Sequence, residues 1–179
     1  RTAGIIDLKK LGLKYNFKVI EISVQEQNNV SISSTKIRNS IIQGKVKKAK
    51  SYLGYDFSLK GKVVKGNEIG RTIGFPTANL EIEEDYKLIP KNGVYLIYTQ
   101  LEKQVFFGMM NIGIKPTLEL KKESIEVNLF DWGKDLYGEL LEVFILDYIR
   151  DEKKFDSLID LTDQIKIDKK TCLKLIEGK

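Results

Sequence analysis

From Phe57 onward, apolar and polar residues alternate along the chain. The stretch FSLKGKVVK at residues 57–65 has the two-residue period of a half-buried strand. Short strand-like segments follow, separated by glycine-, proline- or lysine-rich breaks and without helices between them: GVYLIYTQL at 93–101, QVFFGMMNIG at 104–113, SIEVNLFDW at 124–132 and ELLEVFILDYI at 139–149. This pattern predicts an antiparallel sheet that closes into a small barrel.

The last apolar pattern has the period of a helix. Residues 155–176 place apolar side chains near one face, with Asp156 or Ser157 as the N-cap: Leu161, Ile165, Cys172 and Ile176. Cys172 is therefore interpreted as a core residue rather than a reactive thiol.

Residues 1–56 differ, because helical and strand-like pieces alternate there. We expect a short helix from Ile5 closed by Gly12, and a strand in FKVIEI at 17–22. Two further helices are expected, one from an N-cap at Ser34 to Gly44 and one over residues 45–53 ended by Gly54. The chain thus predicts two regions, 1–56 and 57–179.

Composition narrows the class of protein. The chain has 179 residues, one cysteine and no run of about 18 apolar residues, so we expect neither a disulfide framework nor a membrane span. These features favour a cytoplasmic protein. No histidine is present, so a general base has to be a carboxylate, a lysine or a tyrosine, and a carboxylate is the first candidate.

The net charge of +5 is unevenly distributed. Residues 1–56 hold 11 Lys/Arg and 4 Asp/Glu, a balance of +7, whereas residues 57–179 hold 19 and 21, a balance of −2. Four of the lysines, at positions 45, 47, 48 and 50, have a spacing typical of the solvated face of a helix. We therefore expect no nucleic-acid partner.

One segment combines glycines with cations and a rigid turn. In KGKVVKGNEIGRTIGFPTAN at 60–79, glycines alternate with basic residues, which suits binding of phosphates: Lys65, Gly66, Gly70, Arg71 and Gly74. A simple glycine-rich turn is the alternative.

The end of that segment offers oxygen ligands. Pro76 stiffens the turn, so Thr77 and Asn79 can present a hydroxyl and a carboxamide to the same side of an extended chain. Mg²⁺ accepts such ligands together with phosphate oxygens and water. Alternatively, the two side chains cap their own turn.

GRTIGFPTAN at 70–79 closely resembles the signature of riboflavin kinases, including the kinase half of bifunctional riboflavin kinase/FAD synthetases. The resemblance covers essentially all of residues 57–179 and continues in family order: KNGVY at 91–95, NIGIKPT at 111–117, IEVNLFDWGKDLYGE at 125–139 and IRDEKKFDSL at 149–158.

The resemblance implies a fold and a reaction. The fold is a mainly β, six-stranded antiparallel closed barrel with a C-terminal helix. The reaction transfers the γ-phosphoryl group of ATP to the 5′-hydroxyl of riboflavin, giving FMN and ADP. It implies that Thr77 and Asn79 hold Mg²⁺ and the phosphates and that Glu126 is the base. From the residues alone, a solvent-facing Glu126 and a catalytically idle flavin- or nucleotide-binding module remain alternatives.

The segment IRDEKKFDSL resembles the mobile loop that caps the flavin in this family. The resemblance implies flavin contacts from Arg150, Asp151 and Phe155, and Asn111 is a further candidate. Phe155 is equally consistent with a staple for the last helix. The chain departs from the family pattern at two places. Asn128 stands where the family often has histidine. In the last helix Asp168 is kept, but Cys172 and Leu173 replace an Ala-Arg pair.

ISSTKIR at 32–38 resembles the C-terminal signature of nucleotidyltransferases, in which a helix N-terminus binds ATP phosphates. The resemblance implies an anion site at Ser33, Ser34, Thr35 and Arg38. The His-x-Gly-His-like motif of that superfamily is absent. Residues 1–56 are therefore interpreted as the C-terminal remnant of an α/β adenylyltransferase domain, without adenylylation activity of their own, and the oligomeric state is left open.

Overall fold

The structure, a computed structural model, describes residues 4–20, 26–27, 30–66, 69–116 and 121–178. Among these residues, none of the helices combines the length and the apolar character that crossing a membrane requires. The described chain divides into two compact units, Arg1–Ser33 and Ser34–Lys179.

The described part of the first unit contains one helix and a two-stranded ribbon. Helix α1 covers Ile5–Tyr15, and strands β1 (Glu26–Gln27) and β2 (Val30–Ser31) pair antiparallel. The expected strand in FKVIEI is wrong for residues 17–20, which form no regular structure, and residues 21–22 lie outside the described part.

The sequence predicted that helix α1 ends at Gly12, and this prediction is wrong. The helix continues to Tyr15 and is capped by Asn16, whose φ of 56° is left-handed. A Cβ at Gly12 would stand 2.7 Å from the carbonyl oxygen of Phe17. Gly12 therefore makes room for the returning chain instead of ending the helix.

The second unit begins with two predicted helices. Helix α2 covers Ser34–Ile42 and α3 covers Val46–Leu53. Gly44 and Gly54 follow them with φ values of 71° and 81°, the left-handed geometry that ends a helix. Both helices and both stops are confirmed, but Ser34 is the first residue of α2 and not its N-cap.

Six antiparallel strands form a closed barrel in the order β3-β4-β7-β6-β5-β8. The barrel and its C-terminal helix are confirmed. β4 begins two residues after Pro76 and is a strand that the alternation did not mark. The elements are β3 (Ser58–Val64), a short helix α4 (Ile69–Thr72), β4 (Ala78–Glu81), β5 (Gly93–Leu101), β6 (Gln104–Pro116), β7 (Lys121–Leu129), β8 (Leu140–Arg150) and helix α5 (Leu158–Glu177).

Alternate residues of every strand fill the barrel interior. The fully buried members include Leu59, Tyr95, Ile97, Met110, Ile112, Val127 and Val143. Val46 of α3 joins this cluster, and Lys47 Nζ pairs with Asp147 Oδ2 at 2.5 Å, so α3 packs against the barrel at β8.

Helix α5 packs on the outside of the barrel. Ser157 caps it by accepting a hydrogen bond from the Asp160 N–H at 3.1 Å. A second apolar cluster joins helix and wall: Leu96, Met109, Phe130, Leu146 and Cys172. The predicted burial of Cys172 is confirmed. The outer face of β5, β6 and β8 is thus partly covered.

Candidate functional site

The glycine-rich loop is shaped by backbone contacts and by one side chain from β7. The Phe75 N–H donates to the Gly70 carbonyl at 2.7 Å, and Gly74 has a φ of 80°. Asn128 Nδ2 donates to the carbonyl of Pro76 at 2.7 Å. Asn128 therefore holds the turn in front of β4, a role that the sequence did not reveal.

Two glycines of this loop stand where a side chain would collide. A Cβ at Gly66 would lie 1.9 Å from Nδ2 of Asn79, and one at Gly70 would lie 2.2 Å from the Phe75 carbonyl oxygen and 3.2 Å from Thr77 Oγ1. The loop thus closes tightly over Thr77 and Asn79. Lys65 and Arg71 of the same loop are exposed.

Strand register brings distant polar residues into one row across the barrel. Asn79 pairs with Glu126, Glu126 with Asn111, Asn111 with Val94, and Val94 with Arg150. Directly paired residues in a sheet point to the same face. Because their neighbours along the strands fill the interior, this row faces outward.

A cavity of about 280 Å³ lies over this row. Thr77, Asn111, Glu126 and Asn128 line its polar side, and Thr77 Oγ1 donates to Glu126 Oε2 at 3.5 Å. Apolar groups complete it: Ile73, Phe75, Val94, Met109, Leu161 and Ile165. We call this space cavity one.

Residues 151–157, which connect β8 to α5, form a covering segment beside cavity one. Glu152, Lys153 and Phe155 from this segment line the cavity together with Arg150 and Asp168. The guanidinium carbon of Arg150 lies 5.9 Å from the centre of the Phe155 ring. The predicted flavin-contact residues Arg150, Phe155 and Asn111 are therefore brought together.

Arg150 is fixed by a buried carboxylate on α5. Its Nε donates to both Asp168 oxygens at 2.9 Å, and its Nη2 donates to Asp168 Oδ2 at 2.7 Å. Asp168 is 3% exposed. A buried aspartate paired in this way fixes both the direction of the guanidinium and the position of the helix.

Asp151 is placed differently from the other expected flavin contacts. It is not among the residues that line cavity one, and it instead pairs with Lys91 and accepts a hydrogen bond from the Tyr148 hydroxyl at 2.5 Å. These contacts with Lys91 and Tyr148 lower the pKa of Asp151. Glu152 and Lys153 face the cavity in its place, and no sequence signal distinguished them.

A second cavity, of about 340 Å³, opens on the other side of Thr77. We call it cavity two. Arg71, Pro76 and Thr77 line it, opposite a loop that the sequence analysis did not assign to the site: Trp132, Gly133, Lys134, Asp135, Leu136 and Tyr137. Thr77 lines both cavities, so a ligand in either cavity can reach it.

The oxygen donors fit a hard cation. Thr77 directly precedes β4 and Asn79 is its second residue, so the two lie on one face and offer a hydroxyl and an amide oxygen, although only Thr77 lines the cavities. Mg²⁺ binds few protein ligands and completes its shell with phosphate and water. Within the described ranges, no group of three or more His, Cys, Asp or Glu side chains stands ready for a metal.

The predicted anion site at the start of α2 stays a prediction. Ser34, Thr35 and Arg38 are exposed on α2, and Ser33 is an exposed residue before it. None of the four lines cavity one or cavity two. Thr117 of the NIGIKPT motif lies outside the described residues.

The comparisons with known proteins point to one family. Bifunctional riboflavin kinase/FMN adenylyltransferases match the chain: that of Buchnera aphidicola (subsp. Acyrthosiphon pisum) is 43% identical over 94% of this chain and 54% of its own length, and that of Bacillus subtilis is 39% identical over 83% and 48%. The chain thus spans about half the length of these curated relatives.

A solved structure has the same fold. A Streptococcus pneumoniae protein described as a macrolide-efflux protein superposes with a TM-score of 0.82 at 39% identity, over 95% of this chain and 55% of that one. The model of the riboflavin kinase family matches residues 53–176, which include the barrel, both cavities and nearly all of α5. The chain belongs to the riboflavin kinase family.

Proposed function

We propose that this chain transfers the γ-phosphoryl group of ATP to the 5′-hydroxyl of riboflavin and releases FMN and ADP. The observation that carries the proposal is the position of Thr77, which lines two separate cavities and lies 3.5 Å from the carboxylate of Glu126. A transfer between two substrates needs such a meeting point. The names of the relatives agree with this reaction.

In this proposal, cavity one takes the flavin. Its walls are mainly apolar and its cover includes the Phe155 ring and the Arg150 guanidinium, which suit a flat aromatic system. Asn111 provides a polar edge beside Glu126. The ribityl chain would then run toward Thr77.

Cavity two takes the nucleotide. Arg71 and Lys134 supply positive charge at its wall, and the glycine loop brings backbone close to Thr77 and Asn79. Phosphates are bound by cations and by closely approaching backbone of this kind. Lys65, Gly66, Gly70, Gly74 and Pro76 contribute by shaping the loop.

Glu126 acts as the base in this proposal. Phosphoryl transfer depends mainly on positioning and on neutralising charge, with one group orienting the attacking hydroxyl. Glu126 is half-buried at the wall shared with Thr77 and lines the flavin cavity, so its carboxylate can accept the proton of the 5′-hydroxyl. Thr77 and Asn79 would hold Mg²⁺, which supplies charge neutralisation for the phosphates when bound.

The proposal assigns only the kinase reaction to this chain. The adenylyltransferase activity in the names of its relatives belongs to proteins about twice as long. We further propose that the chain acts in the cytoplasm and that riboflavin, FMN, ATP and ADP are its partners.

The test is direct. The purified chain is incubated with riboflavin and MgATP, and FMN is measured by chromatography, with EDTA-treated and ATP-free samples as controls. FMN that depends on both ATP and the metal is expected. A folded chain that binds riboflavin tightly but forms no FMN would instead indicate the idle flavin-binding module and refute the proposal.

A further inference from the structure

One amide side chain on α5 joins two parts of the site without lining cavity one itself. Gln164 Oε1 accepts a hydrogen bond from Lys153 Nζ at 3.2 Å, and Gln164 Nε2 donates to Asp168 Oδ1 at 2.9 Å. Both partners line cavity one, whereas Gln164 does not. Gln164 therefore connects the covering segment to the helix from behind.

The Asp168 end of this connection is rigid. Asp168 is almost fully buried and already holds the guanidinium of Arg150 through Nε and Nη2. The hydrogen bond from Gln164 to this fixed carboxylate determines which way the amide points. Its oxygen then faces Lys153, since an amide donates at one end and accepts at the other.

The Lys153 end belongs to the middle of the covering segment, whose earlier residues Asp151 and Glu152 have contacts of their own with Lys91, Tyr148 and Asn92. Lys153 is exposed, and its neighbour Phe155 is half-buried beside Arg150. The contact with Gln164 therefore holds the middle of the covering segment against α5, while Arg150 Nη1 holds its start by donating to the Asp151 carbonyl at 2.8 Å. The position of the covering segment therefore depends on both contacts, that of Arg150 at its start and that of Gln164 at its middle.

We propose that Gln164 is a positioning residue for the flavin: by joining Lys153 to Asp168 it keeps the covering segment closed over cavity one and so sets the affinity for riboflavin. The inference rests on the proposed function. Only a side chain that both donates and accepts can fill this role, so glutamate and methionine at position 164 each lose one contact or both.

The experiment compares Gln164→Met with a matched variant on the same helix. Lys166→Met removes the Lys166–Asp163 pair at 2.9 Å, which lies on an exposed surface outside both cavities. The dissociation constant for riboflavin is measured through quenching of riboflavin fluorescence, and KM and kcat are measured for both substrates. Unfolding in urea is followed in parallel.

Gln164→Met should raise the dissociation constant and the KM for riboflavin by about three- to tenfold, as expected for the loss of one or two hydrogen bonds. The KM for MgATP and kcat should stay within twofold, and Lys166→Met should change none of these values. A merely structural role would lower the free energy of unfolding and leave riboflavin affinity unchanged. That result overturns the inference.

A double-mutant cycle with Lys153→Met tests the path. If Gln164 acts through Lys153, the second substitution should add little to the first, whereas fully additive losses contradict the proposed contact. A wild-type chain that binds riboflavin without forming FMN refutes the proposed function alone, because the comparison of dissociation constants still stands. A wild-type chain that does not bind riboflavin refutes both.

Discussion

The two faces of one wall of the barrel have opposite characters. The inner face of β5, β6 and β7 is apolar and includes Tyr95, Ile112 and Val127, which are at most 1% exposed. The outer face of the same strands presents Asn111 and Glu126, which pair directly across β6 and β7. A shift of one position along either strand moves from the core to the proposed site.

This contrast shows how a small barrel carries both a core and a site. The inner residues stabilise the fold by being removed from water, which depends on size and apolarity more than on identity. In the proposed reaction the outer residues depend on identity, because a hydroxyl, an amide and a carboxylate would have to meet at fixed distances. Substitutions on the two faces should therefore affect different measurements.

The largest effect is expected from the inner face. Ile112→Ala should lower the free energy of unfolding by about 2–5 kcal/mol, because it leaves a cavity at a fully buried position. The kcat of the folded protein should change little. Urea denaturation gives the first quantity, and FMN formation under folding conditions gives the second.

Val105→Ala is the control for that substitution. Val105 lies on the same strand but is 54% exposed, so its loss should cost no more than about 0.5 kcal/mol. Equal losses at the two positions would contradict the assignment of an inner and an outer face on β6.

On the outer face, Glu126→Gln should lower kcat by about a hundredfold or more, because the amide cannot accept the proton of the 5′-hydroxyl. The free energy of unfolding should change little. Steady-state FMN formation checks the first outcome and urea denaturation the second. Glu123→Gln changes an exposed carboxylate on the same strand and should leave both unchanged. An unaltered kcat in Glu126→Gln would exclude Glu126 as the base.

The contrast also explains what the sequence could predict. Alternation marked the strands that became β3, β5, β6, β7 and β8, because period two is a local property of the chain. The alternation did not predict β4. It has four residues, and its place between β3 and β7 is fixed by pairing with strands far along the sequence, such as Ala78 with Val127.

Sequence patterns were limited in the same way in predicting which residues form the site. The family resemblance predicted Thr77, Asn79 and Glu126 as site residues, but the alternation alone left a solvent-facing Glu126 open. Glu126 does lie on the outer face, and it becomes part of a cavity because α5, the covering segment and the glycine-rich loop lie beside that face. The roles of Asn128 toward Pro76 and of Asp168 toward Arg150 depend on contacts across 52 and 18 residues, which no local pattern encodes.

A smaller effect is expected at the loop over the outer face. Gly66→Ala would place a Cβ 1.9 Å from Asn79 Nδ2, so the Asn79 side chain has to move. We expect the KM for MgATP to rise by about tenfold, since a displaced ligand weakens nucleotide binding, while the KM for riboflavin changes less. Steady-state kinetics with each substrate varied in turn measures both.

Gly178→Ala is the matched control for this glycine. The nearest atom to a Cβ there is the Lys174 carbonyl oxygen at 3.5 Å, an ordinary contact. This variant should behave as the wild type. If Gly66→Ala also retains the wild-type KM for MgATP, Asn79 does not contribute to nucleotide binding in the proposed way.

The smallest effect concerns the apolar layer between the outer face and α5. Burial raises the pKa of the Cys172 thiol to about 12 from an ordinary value of 9.0. The folded protein therefore keeps the proton between pH 9 and 12 while the unfolded chain loses it, so the contribution of Cys172 to stability is complete below pH 9 and falls as the pH rises above it. The free energy of unfolding falls with a limiting slope of about 1.4 kcal/mol per pH unit.

Cys172→Ala should remove this part of the alkaline decline while lowering stability at neutral pH, because it leaves a small cavity. Urea denaturation of both proteins from pH 8 to 10.5 measures the two slopes. Parallel slopes would mean that the thiol ionises equally in the folded and unfolded chain, and that α5 does not seal the outer face at Cys172.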